Sequence, residues 1–313
     1  MTGRIVTVTP NPALDMTWHA ERMLVGGSCR VPAATVRAGG KGLNVARVAH
    51  QQGARVLALT TAGGATGAQF AAELSMSGVP HALVRVGPAT RRSVAIVDDA
   101  TGDATVLNEC GDDPGAVAWR SLVELACDAL SDSAVLVVSG SLPSGSPVSL
   151  IADLVARAAR RGLPAIVDTS GAALTAAAEA GATVLKPNDA ELAEATGLSD
   201  PVAAARTLLR GGTRLVLASL GGDGMLAVPA HGPVLHCRPP EVLAGNPTGA
   251  GDAAVAAASV LLARGETDPA ELLRAAVSWS AAAVLEPAAG TISPRHADFI
   301  NRVTVTPYRE ENP

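Results

Sequence analysis

Aromatic residues make up only 2% of the 313 residues, so a core must be built from Ala, Val and Leu. Charged residues are also few, at 17%, and the net charge of −5 is not the footprint of a nucleic-acid surface, which needs clustered Lys and Arg. Any phosphate bound here is small and held locally. The four cysteines, Cys29, Cys110, Cys127 and Cys237, lie far apart and form no C-x-x-C pair. That argues against a zinc site and fits a reducing cytosol, although four thiols can in principle pair. No run approaches the ~18 consecutive apolar residues of a membrane span. Arg4–Thr9 reads as a strand, not as part of a signal peptide. The expectation is a soluble, cytoplasmic protein.

What the chain does have is 48% hydrophobic residues and 32 glycines, enough for a large core and many tight turns. Short β-rich runs alternate with Ala-rich helical stretches. Strands are expected near 4–9, 55–61, 134–139, 164–168, 183–186 and 214–219. Helices are expected near 42–52, 67–77, 116–130, 147–161, 201–210, 250–264 and 269–286. Asp268-Pro269 supplies a cap and a first-turn proline. Such alternation predicts a three-layer αβα sandwich with a mostly parallel sheet. The runs near 134 and 214 are almost wholly apolar, as a sheet covered on both faces requires. Residues 12–37 and 81–109 break the rhythm and read as a small β-sheet lid or interface inserted into one domain spanning 1–313.

The segment Pro247-Thr248-Gly249-Ala250-Gly251-Asp252 precedes the apolar run 253–262. Thr248 is placed to cap a helix, and the small residues after it leave backbone N–H groups uncovered at a positive helix end. Such a site receives an anion, most often a phosphate. A carboxylate would repel that anion, so Asp252 implies a task there: accepting a proton from an attacking hydroxyl. Alone, the segment is equally a softened turn with an N-terminal charge.

Other motifs end strands in the same way. Gly39-Gly40-Lys41-Gly42-Leu43-Asn44 opens a helix but is neither a Walker A loop nor a dinucleotide fingerprint. Its glycines allow close approach of a polyol, and Asn44 can both donate and accept. It also reads as a capped turn. Asp15 follows Asn11-Pro12 at a strand end, where ligands collect in open α/β sheets, or is a solvated turn residue. Ser139 closes one strand and Asp168 another. Lys186-Pro187-Asn188 with Glu191 reads as a capping pair, as a water-mediated Mg²⁺ site, or as both. Ser219-Leu220-Gly221-Gly222-Asp223-Gly224 is a flat turn between strands, able to lie beneath a nucleotide or simply to close a hairpin. Arg30, Arg91 and Arg92 are basic residues in the irregular segments; arginine suits bidentate phosphate contact, and surface arginines are also commonly only solvated.

In this order, Asn11–Asp15, Gly39–Ala46, Ser139–Pro143, Lys186–Glu191, Ser219–Gly224 and Gly249–Asp252 resemble the phosphofructokinase-B family of ribokinase-like sugar kinases. The N-P-A-L-D and G-G-K-G-L-N forms resemble the branch acting on phosphorylated ketohexoses. The resemblance implies a ribokinase-like fold and an ATP-dependent kinase that converts a ketohexose phosphate (fructose 1-phosphate, fructose 6-phosphate or tagatose 6-phosphate) to the bisphosphate. Asp252 would be the base, with Gly249, Ala250 and Gly251 as the anion hole. Asp15, Gly40, Lys41 and Asn44 would hold the sugar. Arg91, helped by Arg30 and Ser139, would hold its phosphate; some relatives carry lysine where Ser28 stands. Lys186, Asn188, Glu191, Ser219, Gly221 and Gly224 would serve ATP, with Glu191 and Asp168 meeting Mg²⁺ through water. Family members can also require K⁺, for which Asn246 and Thr248 are placed. The lid would form a homodimer contact, with no nucleic-acid or membrane partner. The alternatives are a ribokinase-type kinase of an unphosphorylated sugar or nucleoside, a catalytically idle sugar-phosphate-binding regulator, and a nicotinamide oxidoreductase, the last disfavoured by the missing fingerprint.

Overall fold

A computed structural model describes residues 3–308. The chain runs β1 (Arg4–Thr9), β2 (Ala13–Ala20), β3 (Thr35–Gly39), α1 (Lys41–Gln51), β4 (Val56–Gly63), α2 (Gly64–Met76), β5 (His81–Val86), β6 (Arg91–Asp98) and β7 (Ala104–Asn108). It continues through α3 (Ala116–Ala129), β8 (Ser133–Ser139), α4 (Ser149–Ala159), β9 (Ala165–Asp168), α5 (Gly171–Glu179), β10 (Val184–Leu185), α6 (Asp189–Thr196), α7 (Pro201–Leu209) and β11 (Leu215–Ser219). The last elements are β12 (Met225–Pro229), β13 (Leu235–Cys237), α8 (Ala250–Ala263), α9 (Pro269–Val284), α10 (His296–Arg302) and β14 (Val305–Pro307).

Ten strands form one sheet in the order β14-β13-β12-β11-β10-β9-β8-β1-β4-β5. Pairing is parallel from β11 to β5 and antiparallel beyond β11. Strand side chains alternate between two cores. Ile5, Val135 and Val137 face the α1, α2, α8 and α9 layer, whereas Val6, Val8, Leu136 and Val138 face α3, α4, α5 and α7. Period-two alternation between two apolar faces is why β8 reads as an almost unbroken hydrophobic run. The near absence of aromatics is met by small residues: Ala253 to Ala258 on α8 are all buried beside α1 and α9. Readable caps set several helix starts. Asn188 and Glu191 form a complete capping box on α6, and Asp200 and Asp268 cap α7 and α9 ahead of a first-turn proline.

A second sheet has the order β3-β2-β6-β7. It corrects the expectation for 81–109. β5 pairs in parallel with β4 as an edge of the main sheet, so only β6 and β7 of that segment belong to the small one. Helices α5 and α10 and strands β13 and β14 were not among the expected elements. No helix of the described residues is long and apolar enough to cross a membrane. All four cysteines are free, Cys29 and Cys110 exposed and Cys127 and Cys237 buried.

Candidate active site

The C-terminal ends of the parallel strands and one end of the small sheet border a cleft of about 1460 Å³. Asp15, Gly40, Lys41, Asn44, Arg91, Asp168, Lys186, Asn188, Glu191, Ser219, Gly221, Gly224 and the run 249–252 all line it. Residues separated by more than two hundred positions therefore meet at one opening, where ligands gather in open α/β sheets.

Asp252 lies in the first turn of α8, 5% exposed, and its Oδ2 accepts a hydrogen bond from Asn44 Nδ2 at 2.8 Å. Burial and the neighbouring Asp168 push its carboxyl up to about 7, against the pull of Asn44, Lys41 and Lys186. Gly249 precedes the helix in the left-handed region (φ 88°), which a residue with Cβ would resist, and an added Cβ there would also meet Ala289. This geometry alters two expectations. Thr248 does not cap the helix; its backbone N–H is instead held by Asn246 Oδ1 at 3.0 Å. The Ala250 N–H, one of the expected anion donors, already has an acceptor here, closing a turn onto the Pro247 carbonyl at 3.1 Å. Among the described residues the Gly249, Gly251 and Asp252 N–H groups have no backbone acceptor, and they remain to receive an anion.

Asp168 is almost fully buried at the end of β9. Lys41 and Lys186 each reach its Oδ1 at 3.5 Å, and Ser139 Oγ donates to Oδ2 at 3.1 Å. Burial alone would raise its carboxyl, but the two lysines and Ser139 hold it below the usual range. Lys41 is in turn held upward chiefly by Asp168, with Glu191 at 3.6 Å as a further anion. Gly251 leaves room for Lys186: an added Cβ would lie 3.3 Å from its Nζ. Glu191 closes the α6 capping box, one carboxylate oxygen accepting from the Asn188 N–H at 2.9 Å. No group of three or more His, Cys, Asp or Glu side chains among the described residues could hold a metal directly. Asp168 and Glu191 are oxygen donors that both face Lys41. This set fits a hard divalent ion that keeps most of its water and bridges phosphates, and does not form an all-protein cage.

At the small sheet, Asp15 on β2 lies opposite Arg37 on β3 and Ser93 on β6. Burial raises its carboxyl to about 6, moderated by Arg91, Arg37 and Arg47. Its carboxylate packs on the bare Cα of Gly39, where any side chain would collide with it. Arg91 is held by Asn11, with Nε on Oδ1 at 3.0 Å and Nη2 on the carbonyl at 3.3 Å, and by the Glu109 carbonyl at 3.2 Å. Arg92, its neighbour, turns away to pair with Glu109. Strand alternation thus separates two adjacent arginines, only one of which lines the cleft.

Two expected residues do not reach the cleft. Arg30 is exposed in the irregular stretch between β2 and β3 and does not line the opening. Ser139 is wholly buried behind Asp168 as its hydrogen-bond donor, while Gly140 and Ser141 line the wall. Other participants had no role assigned from the sequence: Asn11, quoted only as part of a motif, fixes Arg91, and Arg37, Arg47 and Glu73 surround Asp15. Arg47 carries a usable signal, a charge three residues beyond Asn44 on an otherwise apolar helix face.

The model of the pfkB family carbohydrate kinases matches residues 15–296. The chain belongs to that family. It is 34% identical over 289 residues to a 1-phosphofructokinase of Xanthomonas campestris pv. campestris, covering 90% of this chain and 91% of the relative. It is 33% identical to ATP-dependent 6-phosphofructokinase isozyme 2 of Escherichia coli K12, covering 90% and 93%. The structure of phosphofructokinase-2 from Escherichia coli in complex with fructose-6-phosphate superimposes with a TM-score of 0.86 at 31% identity, over 96% of this chain and 98% of that one. Ribokinase from Thermotoga maritima, 22% identical with a TM-score of 0.73, shares the fold.

Proposed function

We propose that this carbohydrate kinase transfers the γ-phosphoryl group of ATP to a hydroxyl of a fructose phosphate. The observation that carries the reading is Asp252: a buried carboxyl raised to about 7, oriented by Asn44, beside the free amides that open α8. A base with this affinity is matched to proton transfer near neutrality. The similarity to a 1-phosphofructokinase and to a 6-phosphofructokinase supports a substrate that already carries a phosphate. Arg91 supplies the matching cation in the cleft.

Placement in the cleft supports the following roles. Asp15 and Asn44 bind sugar hydroxyls, and Arg91 binds the existing phosphate. Asp252 takes the proton of the attacking oxygen, and the Gly251 and Asp252 amides receive the transferring group. Lys186 and Lys41 stand near the phosphates, with Ser219, Gly221 and Gly224 along the nucleotide. Mg²⁺ bound with the nucleotide would neutralise phosphate charge, its water shell meeting Asp168 and Glu191. The transition state is loose, so positioning and charge outweigh base strength. The similarity to a potassium-bound phosphofructokinase-2 supports a K⁺ site near Asn246 and Thr248, which turnover in K⁺ against Na⁺ salts would test. Self-association is assigned to the small sheet, where Val36, Val106 and Leu107 are exposed. The similarity to a tetrameric form of phosphofructokinase-2 supports an oligomer of two or more copies.

The test is ADP release over fructose 1-phosphate, fructose 6-phosphate, tagatose 6-phosphate and the unphosphorylated hexoses. Turnover restricted to a phosphorylated ketohexose is expected. Equal rates on plain fructose would overturn the phosphate assignment, and ligand-stabilised melting without ADP release would indicate a binding protein instead.

A further inference from the structure

Ala38 is the penultimate residue of β3, an outer strand of the small sheet. An edge strand leaves alternate backbone N–H and C=O groups without a ladder partner. Here both groups of one residue are met by side chains from the α/β body. The Ala38 N–H donates to Glu73 Oε2 at 2.7 Å, and the Ala38 carbonyl accepts from Arg47 Nη2 at 3.1 Å. Arg47 on α1 and Glu73 on α2 are themselves joined at 2.8 Å. The three groups close a ring that fastens the small sheet to two helices of the main body.

The position of this ring gives it a consequence for the site. On one side of Ala38 stands Arg37, opposite Asp15 in the ladder and donating to the Ala289 carbonyl at 2.6 Å. On the other side stands Gly39, on whose bare Cα the Asp15 carboxylate rests, and then Gly40 and the helix that carries Asn44. Arg47 lies one turn beyond Asn44 on that helix, and a Cβ on Gly290 would touch both Asn44 Oδ1, at 3.0 Å, and Arg47 Cδ, at 3.2 Å.

Stability alone is a poor reason for such a pair. Arg47 is 7% exposed, and its Nε–H has no acceptor among the described residues. A buried donor left unmade is costly, and buried ion pairs are often no better than apolar replacements of similar volume. We propose that Arg47 and Glu73 are positioning residues that pin the β3 edge to the body and thereby set Asp15 and Asn44 for the acceptor sugar. The inference rests on the fructose phosphate kinase reading.

The test compares Arg47→Met, Glu73→Leu and the double variant Arg47→Met/Glu73→Leu by melting temperature and by separate KM values for the sugar phosphate and for ATP. Each single variant should raise the KM for the sugar phosphate roughly tenfold or more, the scale of one lost charge-assisted hydrogen bond, with the KM for ATP within about twofold. Arg47→Met should also lower the melting temperature by leaving Glu73 uncompensated. The double variant carries the decision. It should recover much of the melting temperature, since no buried charge is left unpaired, yet keep the raised sugar KM because Ala38 is still unheld. Recovery of the sugar KM together with stability would overturn the proposal, as would equal rises in both KM values. If the wild-type enzyme turns over a different sugar, the substrate reading fails while the same comparison, made with that sugar, still judges the clamp.

Discussion

Asp252→Asn is expected to make the protein more stable and far less active, and the stability gain should depend on pH in a specified direction. In the folded protein the carboxyl titrates at about 7, against an ordinary value of 3.8. The native state therefore binds the proton more tightly than the unfolded chain. Below pH ~4 both states are protonated and the group contributes no difference. Between pH ~4 and ~7 the unfolded chain ionises first, and stability falls as pH rises; above pH ~7 the penalty is complete. At 1.36 kcal/mol for each pH unit separating the two values, the ceiling is about 4 kcal/mol, and relaxation around the nearby lysines should reduce what is realised to about 1–2. Asparagine keeps an oxygen to accept from Asn44, so it removes the charge while preserving the 2.8 Å contact. The variant should melt a few degrees above the wild type at pH 8, with the gap closing toward pH 5. Turnover should fall by roughly 10² to 10⁴ with little loss of ATP affinity. Calorimetric melts of both proteins from pH 5 to 8, alongside a coupled ADP assay, test both parts. A variant that melts lower at pH 8, a gap that does not change with pH, or near-normal turnover would refute the reasoning.

The remaining expectations concern the acceptor end of the cleft. Arg91→Ala should raise the KM for the sugar phosphate roughly 10- to 100-fold and the KM for ATP far less; parallel changes in initial-rate data would remove Arg91 from the phosphate. Gly39→Ala places a methyl group against the Asp15 carboxylate and should weaken sugar binding at least as much as Asp15→Asn, whereas normal sugar kinetics would contradict the packing. The kcat/KM profile should rise with pH through the carboxyls near 6 and 7, and Asp15→Asn should leave only the upper one. An unchanged profile in that variant would show that Asp15 does not titrate in the free enzyme.

Much of the fold is visible in local patterns. The buried strands β8 and β11 read as apolar runs because both sheet faces are covered, and α7 and α9 announce themselves with an aspartate and a proline. Local patterns failed where an element depends on its neighbours. β5 has no helical rhythm and resembles the small-sheet strands beside it, and only its pairing with β4 assigns it to the main sheet. α5 opens with two small residues after a strand and has no capping signal of its own, since Ser170 makes no side-chain cap. The N–H inventory at α8 was likewise out of reach: with Gly249 in the left-handed region against Ala289, the Ala250 N–H bonds the Pro247 carbonyl while the Gly251 and Asp252 N–H groups have no backbone acceptor.

The sequence by itself determined the chemistry on offer: an aspartate at a glycine-opened helix start, a second at a strand end, and a run of motifs in the order of a sugar kinase. Those are properties of residue type and short spacing, which the chain carries without folding. Only the tertiary structure decided which groups share a cleft, because that depends on which strand edges pair and which way each side chain faces. It drew Asn44 onto Asp252 across 208 positions, sent Arg91 inward and Arg92 outward, and kept Arg30 at the surface and Ser139 behind Asp168. It also joined Arg47 and Glu73 to the Ala38 backbone, a contact made by an unpaired strand edge and two helices that no single stretch of sequence contains.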